Sequence, residues 1–193
     1  MNHKLSIQDR LLTAAIDLMA AKGYKGVTTK EIAAEAGVSE MTLFRHFGTK
    51  RALLKAAVDR FYYTEDLKRI FEEERVWDLR TDLRMLADRY HEIMDRNAKM
   101  IRIVLNDAEL EDVTVHARKH PKQLREMLTA YFTAMQAKGK MISTNAEAQA
   151  VTFMWMNYGA FMTRLYQAES ITGITLQEFK ESSVDLFVRA LTP

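Results

Sequence analysis

Between positions 7 and 22, apolar residues return every three or four places. Ile7, Leu11, Ala14 and Leu18 form one stripe, and Leu12, Ile16 and Met19 widen it. That period predicts an amphipathic helix. Ser6 stands where an N-cap belongs, with Asp9 three residues later, and Gly23 stops the helix. Thr28 precedes Glu31 at the spacing of a capping box, which opens a very short second helix through Ala36. Gly37 suits a left-handed turn. Ser39 caps a third short helix through about His46, and Gly48 breaks it. From Lys50 to about Phe71 the pattern predicts one long fourth helix, striped by Leu54, Val58, Phe61 and Tyr62.

Beyond Arg75 the predicted helices cover about 78–96, 97–109, 121–138, 146–169 and 175–191. Four of the seven Gly fall in the first 50 residues, and Pro121 and Pro193 are the two Pro, so short elements come first and long helices follow. No stretch alternates with a period of two, and the chain has neither repeats nor low-complexity runs. The fold class is all-α. In 146–169, Met154, Tyr158, Phe161 and Leu165 follow one stripe, and Trp155, Gly159, Met162 and Tyr166 the next. So wide an apolar arc predicts burial on more than one side. The segment 175–191, with Phe179, Leu186, Phe187 and Ala190, is similarly apolar. Two such neighbours predict a four-helix interface across a two-fold axis, with Trp155, Gly159, Met162, Tyr166, Phe179 and Leu186 as its candidates.

Composition narrows the function. The 193 residues are 48% hydrophobic and 28% charged, typical of a globular protein, and the net charge is +2. The total conceals an asymmetry. Residues 1–55 hold nine Lys/Arg and five Asp/Glu, a net of +4, whereas the remainder holds 19 and 21. The absence of Cys excludes disulfides, thiolate nucleophiles and Cys-ligated metals. The N-terminus lacks a signal-peptide core, and no apolar run approaches a membrane span, so a cytoplasmic protein without a membrane partner is expected. There is no Gly-rich phosphate loop, nucleophile elbow or paired Glu-x-x-His motif; Asp88-x-x-His91 stands alone. An enzyme and a cofactor are therefore not expected.

Two helices of about eight residues joined through Gly37, packed on the first helix through Ile32, Ala33, Ala36, Val38 and Leu43, fit a helix-turn-helix, and the basic excess sits on it. The string Tyr24-Lys25-Gly26-Val27-Thr28-Thr29-Lys30-Glu31-Ile32-Ala33, with Ala36-Gly37-Val38-Ser39, Thr42-Leu43-Phe44-Arg45-His46-Phe47 and Lys50-Arg51-Ala52-Leu53-Leu54, resembles the DNA-binding segment of the TetR family of bacterial transcriptional regulators. The resemblance covers about the first quarter of the chain. It implies an N-terminal helix-turn-helix domain, residues 1–50, joined by a long helix to a larger helical effector-binding and dimerisation domain, residues 51–193. It also implies a homodimer on a palindromic double-stranded DNA operator, usually a repressor released by a small molecule. An activator or an effector-independent DNA-binding protein is the alternative.

On that reading Thr29 and Lys30 lie at the groove edge, Thr29 as a phosphate contact. Ser39, Glu40, Met41 and Thr42 make the first turn of the recognition helix. Glu40 is a candidate acceptor from a cytosine amino group, and Met41 or Thr42 a candidate contact to a thymine methyl. Arg45 reads guanine or holds phosphate, and His46 and Lys50 suit the backbone. Phe44 departs from the family, which commonly carries Tyr there, so a hydroxyl contact to phosphate is lost.

Two further constellations stand out. Nine of the 12 Met lie beyond residue 84, and flexible Met suits an adaptable apolar effector pocket, with Met94, Met100, Val104, Met127, Tyr131, Met154 and Tyr158 as its candidate lining. Glu109, Asp112, His116 and His120 would share a face if helix persisted there and could then bind a metal; the plainer expectation is a charged loop before Pro121 with no metal.

Overall fold

The computed structural model describes residues 5–61, 64–166 and 172–193. Every regular element among them is helical. In chain order these are α1 (Ile7–Lys22), α2 (Thr29–Glu35), α3 (Glu40–Phe47), α4 (Lys50–Phe61), α5 (Thr64–Arg69), α6 (Leu79–Arg96), α7 (Ala98–Asn106), α8 (Glu111–Ala117), α9 (Lys119–Ala137), α10 (Ala146–Leu165) and α11 (Leu176–Leu191). The chain divides into two compact units, one of residues 1–62 with 97–119 and one of residues 63–96 with 120–193.

In the first unit, caps define the ends. The Asp9 amide donates to Ser6 Oγ at 3.0 Å, and the Gly23 amide closes α1 on the Met19 carbonyl at 2.9 Å. Leu11, Leu12, Ala15 and Met19 of α1 share a core with Ile32 and Ala33 of α2, Leu43 of α3 and Leu53, Leu54 and Val58 of α4. Met100, Ile103 and Val104 of α7 and Val113 of α8 belong to the same core. Packing thus adds α4 and residues 97–119 to the 50-residue motif seen in sequence. The added segment carries acids that meet the basic head: Glu109 pairs with Lys25 at 2.8 Å, and Asp112 with Lys55 at 2.7 Å and Arg51 at 3.2 Å.

The charged loop expected before Pro121 is instead two elements. Residues 111–117 form α8, which buries Val113, and α9 begins at Lys119. Pro121 falls in the first turn of α9, where a missing amide hydrogen breaks no intrahelical bond. The helix expected as far as Phe71 is described through Phe61, with Tyr62 outside the described residues, and again over Thr64–Arg69. It then ends in a π-helical turn, Ile70–Glu74, closed by the Arg75 amide on the Ile70 carbonyl at 2.9 Å.

The second unit is built around α6, against which α5, α10 and α11 pack. Leu83, Leu86, Ala87, Ile93 and Met94 of α6 are buried, as are Leu128, Phe132 and Met135 of α9, Phe153 and Phe161 of α10 and Val184 and Phe187 of α11. Phe153 and Phe187 meet edge to face, 5.2 Å between centroids. Trp77, ahead of α6, has φ +60°, a left-handed conformation rare for a bulky side chain. Tyr131 stacks on its ring at 5.9 Å, Arg75 and Lys138 stand 4.5 Å from the ring centre, and Lys140 donates to its carbonyl at 2.8 Å. These contacts hold a conformation that costs about 1–3 kcal/mol.

The inward face of α10 differs from the expected stripe. Ala150, Phe153, Asn157, Phe161 and Leu165 are buried, whereas Met154 is half-buried and Tyr158 exposed. A rotation of one residue exchanges Tyr158 for Asn157. It is tolerated because the Asn157 Nδ2 group donates to the Phe153 carbonyl at 2.9 Å.

Candidate nucleic-acid interface

The turn between α2 and α3 is set by short-range chemistry. The Thr28 amide donates to Glu31 Oε2 at 2.8 Å, and the Glu31 amide to Thr28 Oγ1 at 3.2 Å. Lys22 donates to the other Glu31 oxygen at 2.8 Å. The Lys22 ammonium and the Thr28 donors together hold the Glu31 carboxyl down at about 2. Gly37, at φ +66°, turns the chain, and the Val38 amide bonds the Ala33 carbonyl at 2.9 Å. Gly26 is constrained by space: a Cβ there would lie 2.3 Å from the Lys22 carbonyl oxygen.

Leu43 on α3 is fully buried and Phe47 packs partly against the core, so the opposite side of the helix faces solvent. Met41 is 80% and Phe44 46% exposed, and Arg45 is exposed beside them. Lys30, at the start of α2, is exposed as well. These four present their side chains outward. The other six candidates are engaged within the unit. Thr29 donates to Glu40 Oε1 at 2.6 Å, which ties the start of α2 to the start of α3. Ser39 caps α3, its hydroxyl 2.9 Å from that of Thr42, and Gln8 donates to His46 Nδ1 at 3.4 Å.

Lys50 was expected at the DNA backbone. Its ammonium is turned inward and donates to the Tyr24 and Val27 carbonyls at 2.7 Å each, 4.2 Å from the centre of the Tyr24 ring. Burial lowers its pKa from the ordinary lysine value. Lys50 therefore staples the loop that precedes α2 to the start of α4. The Tyr24 position, an aromatic ring ahead of the motif, was the one sequence signal for this staple.

The candidate effector residues divide between the units. Met100 and Val104 are core residues of the first, because the apolar face of α7 packs on α1. Met94, Met127, Tyr131, Met154 and Tyr158 lie in the second. Met94 and Tyr131 are buried, and the Tyr131 hydroxyl donates to Asp82 at 2.7 Å; burial and that carboxylate push the phenol above its usual range. Two polar groups of this unit are deeply buried, His91 (1% exposed), which the sequence offered only in the lone Asp88-x-x-His91, and Asn157 (2%), which it did not single out. Arg164 donates to His91 Nδ1 at 3.0 Å, which leaves the neutral ring its proton on Nε2. Burial first, then the Arg164 charge, lowers the imidazole to about 4, while Asn157 and Asp95 act the other way. Asn157 is the side-chain hydrogen-bond partner of the imidazole on its other side.

Of the candidate dimer residues, Trp155 (71%), Tyr166 and Leu186 are exposed, as is Gly159, while Met162 is half-buried. Phe179 meets the edge of the His91 ring, centroids 6.2 Å apart. The four acid and imidazole groups weighed for metal have separate partners or places. Glu109 pairs with Lys25, Asp112 with Arg51 and Lys55, and His116 Nε2 lies 2.9 Å from Asp59. His120 is buried in the second unit. No cluster of three potential metal ligands occurs among the described residues, and no described helix is long and apolar enough to cross a membrane.

Residues 11–57 match the family model of the bacterial regulatory proteins of the tetR family. The HTH-type transcriptional regulator YvkB of Bacillus subtilis is 31% identical over 184 residues, spanning 95% of this chain and 96% of its own. The HTH-type transcriptional repressor Rv3405c of Mycobacterium tuberculosis is 28% identical over 183 residues, 95% of this chain and 88% of the relative. The crystal structure of the transcriptional regulator FadR from Bacillus subtilis in complex with stearoyl-CoA has the same fold, with a TM-score of 0.74 over 93% of this chain and 96% of that one at 16% identity. These relatives are regulators and not enzymes, and their likeness runs through both units. With a complete helix-turn-helix and an outward-facing α3, the chain belongs to the tetR family of bacterial transcriptional regulators.

Proposed function

We propose that this regulator is a repressor that binds a palindromic operator as a homodimer and releases it when a small effector binds the second unit. The observation that carries the reading is α3 itself. It is a capped helix held by a buried Leu43, with Met41, Phe44 and Arg45 outward on the basic part of the chain. Such a helix fits the major groove, with phosphates engaged by the surrounding cations.

Pairing of two copies is supported by the exposed aromatic and aliphatic groups of α10 and α11, Trp155, Tyr158, Tyr166 and Leu186. A two-fold pair would set two copies of α3 about one DNA turn, or a multiple of it, apart. Effector response is supported by likeness of fold to a regulator solved with a ligand. The FadR neighbour holds an acyl-CoA in a similar fold. An effector acts only through its different affinity for the DNA-bound and free forms.

The test is selection from a random duplex library followed by salt-titrated binding. A two-fold symmetric consensus, bound one dimer per site, is expected. An asymmetric site bound by a monomer would refute the dimeric reading, and no preference over random duplex would refute specific regulation.

A further inference from the structure

Among the described residues, Trp77 alone has a positive φ without being glycine, and three cations gather on it. Arg75 and Lys138 each stand 4.5 Å from its ring centre, and Lys140 donates to its carbonyl at 2.8 Å. All three belong to the second unit. Local devices bring them together. Arg75 follows the π-helical turn Ile70–Glu74, a rare irregularity that is frequent at functional sites. Gly139, at φ +66°, ends α9 with the Lys140 amide on the Met135 carbonyl at 3.0 Å, which folds Lys140 back toward Trp77. Strained backbone persists only where its surroundings impose it, and ligand clamps are such places.

These cations lack the usual compensation. Arg80, Arg84, Arg89, Arg125, Arg164 and Lys180 of the same unit each sit on a carboxylate. Arg75, Lys138 and Lys140 pair with no carboxylate among the described residues. Acids of this stretch of chain are committed elsewhere. Glu74 pairs with Arg69 at 3.3 Å, and Asp78 Oδ1 accepts from the Thr81 amide at 2.9 Å and hydroxyl at 2.6 Å. Buried Asp82 accepts from the Val76 amide at 2.8 Å and the Tyr131 hydroxyl at 2.7 Å. Lys138 and Lys140 are exposed and Arg75 is half-buried, so an incoming anion can reach them. Arg75 and Lys138 are separated by at most twice their distance to the ring centre. One tetrahedral oxyanion closes such a gap with charge-assisted bonds of about 2.8 Å on each side.

We propose that Arg75, Lys138 and Lys140 form a binding site for a phosphoryl group, borne by inorganic phosphate or by a small organic phosphate. Three cations match a phosphate dianion better than they match a single carboxylate, and the Arg fork and the mobile Lys ammoniums suit its oxygens. Bound there, the anion ties the segment ahead of α6 to the end of α9. The site uses no residue of the helix-turn-helix and is independent of the DNA-binding reading above.

The test is calorimetric titration and thermal melting of the full chain with inorganic phosphate and with glycerol phosphate, against chloride and acetate at equal ionic strength. Saturable binding of a phosphoryl compound is expected, with a matching rise in Tm and a change in Trp emission as the cations shift on the Trp77 ring. Arg75→Gln and Lys138→Gln should each weaken that binding about tenfold. Tighter binding of glycerol phosphate assigns the site to an organic phosphate, and equal or weaker binding assigns it to the inorganic ion. An effect of ionic strength alone, acetate bound as tightly as phosphate, or undiminished binding in both variants would each overturn the proposal. So would a salt slope of random-duplex binding lowered by those variants, because the cations would then serve the DNA backbone. The wild-type titration needs no variant, so it decides even if a substitution disturbs folding.

Discussion

Lys50 shows how a charge can serve the fold before it serves a ligand. As a solvated cation near DNA, its removal would weaken every sequence alike and flatten the salt dependence by about one unit. As a staple on the Tyr24 and Val27 carbonyls, its removal strands two acceptors. The structure favours the second outcome. Lys50→Met is expected to destabilise the protein by roughly 1–3 kcal/mol in denaturant titration, with the salt slope of random-duplex binding unchanged. A slope lower by a full unit would show that Lys50 turns outward on DNA. Arg45 has no such duty. Arg45→Ala is expected to weaken the selected site by about 1–3 kcal/mol with unchanged stability, measured as the ratio of specific to random-duplex affinity.

His91 gives the residue scale a pH dependence. Its folded pKa, about 4, lies below the ordinary imidazole value, so the unfolded chain binds its proton first. The associated stability is present above about pH 6.5 and is lost as pH falls toward 4. Between pH 7 and pH 5 the expected loss is about 2 kcal/mol, and His91→Gln should remove most of it. Equal pH dependence of wild type and variant over that window would show the imidazole to be accessible to protons in the folded state.

At the scale of elements, the ends of helices were legible and their inward faces less so. Ser6, Thr28 and Ser39 cap their helices as the sequence predicts, because a cap joins residues three apart. The seven-residue α8 was missed for the complementary reason. It has little apolar periodicity, and its partners, Arg51 and Lys55 at Asp112 and Asp59 at His116, lie far away along the chain. The face of α10 was misjudged by one residue, since Asn157 and Tyr158 are equally compatible with a 3.6-residue period. Gly26 makes the strongest expectation at this scale. Gly26→Ala drives a Cβ against the Lys22 carbonyl, which is backbone and cannot swing away. A loss of about 1–3 kcal/mol is expected by thermal melting, with DNA affinity falling as α2 and α3 shift.

For the molecule as a whole, the exposed groups of α10 and α11 are where the proposed pairing is tested. Trp155→Arg places a charge where a second copy is expected to pack. Sedimentation should shift from dimer to monomer, and affinity for the symmetric site should fall far more than affinity for random duplex. An unchanged dimer would move the interface elsewhere. Basic head and acidic remainder, evident from charge alone, acquire a finer meaning here. Part of the acidity, at Glu109 and Asp112, lies within the DNA-binding unit and offsets Lys25, Arg51 and Lys55 there.

The sequence by itself determined the helical class, the caps, the turn at Gly37 and the family, since each depends on residues within a few positions of one another. It also placed Met41, Phe44 and Arg45 on the reading helix. Only the tertiary structure decided which of those side chains remain open and which are engaged. Glu40 meets Thr29, Lys50 meets the carbonyls of the preceding loop, and Asn157 takes the buried place of Tyr158. Local periodicity does not encode such pairings. They follow from which surfaces meet once the helices pack, and the competition between burial and hydrogen bonding is settled there.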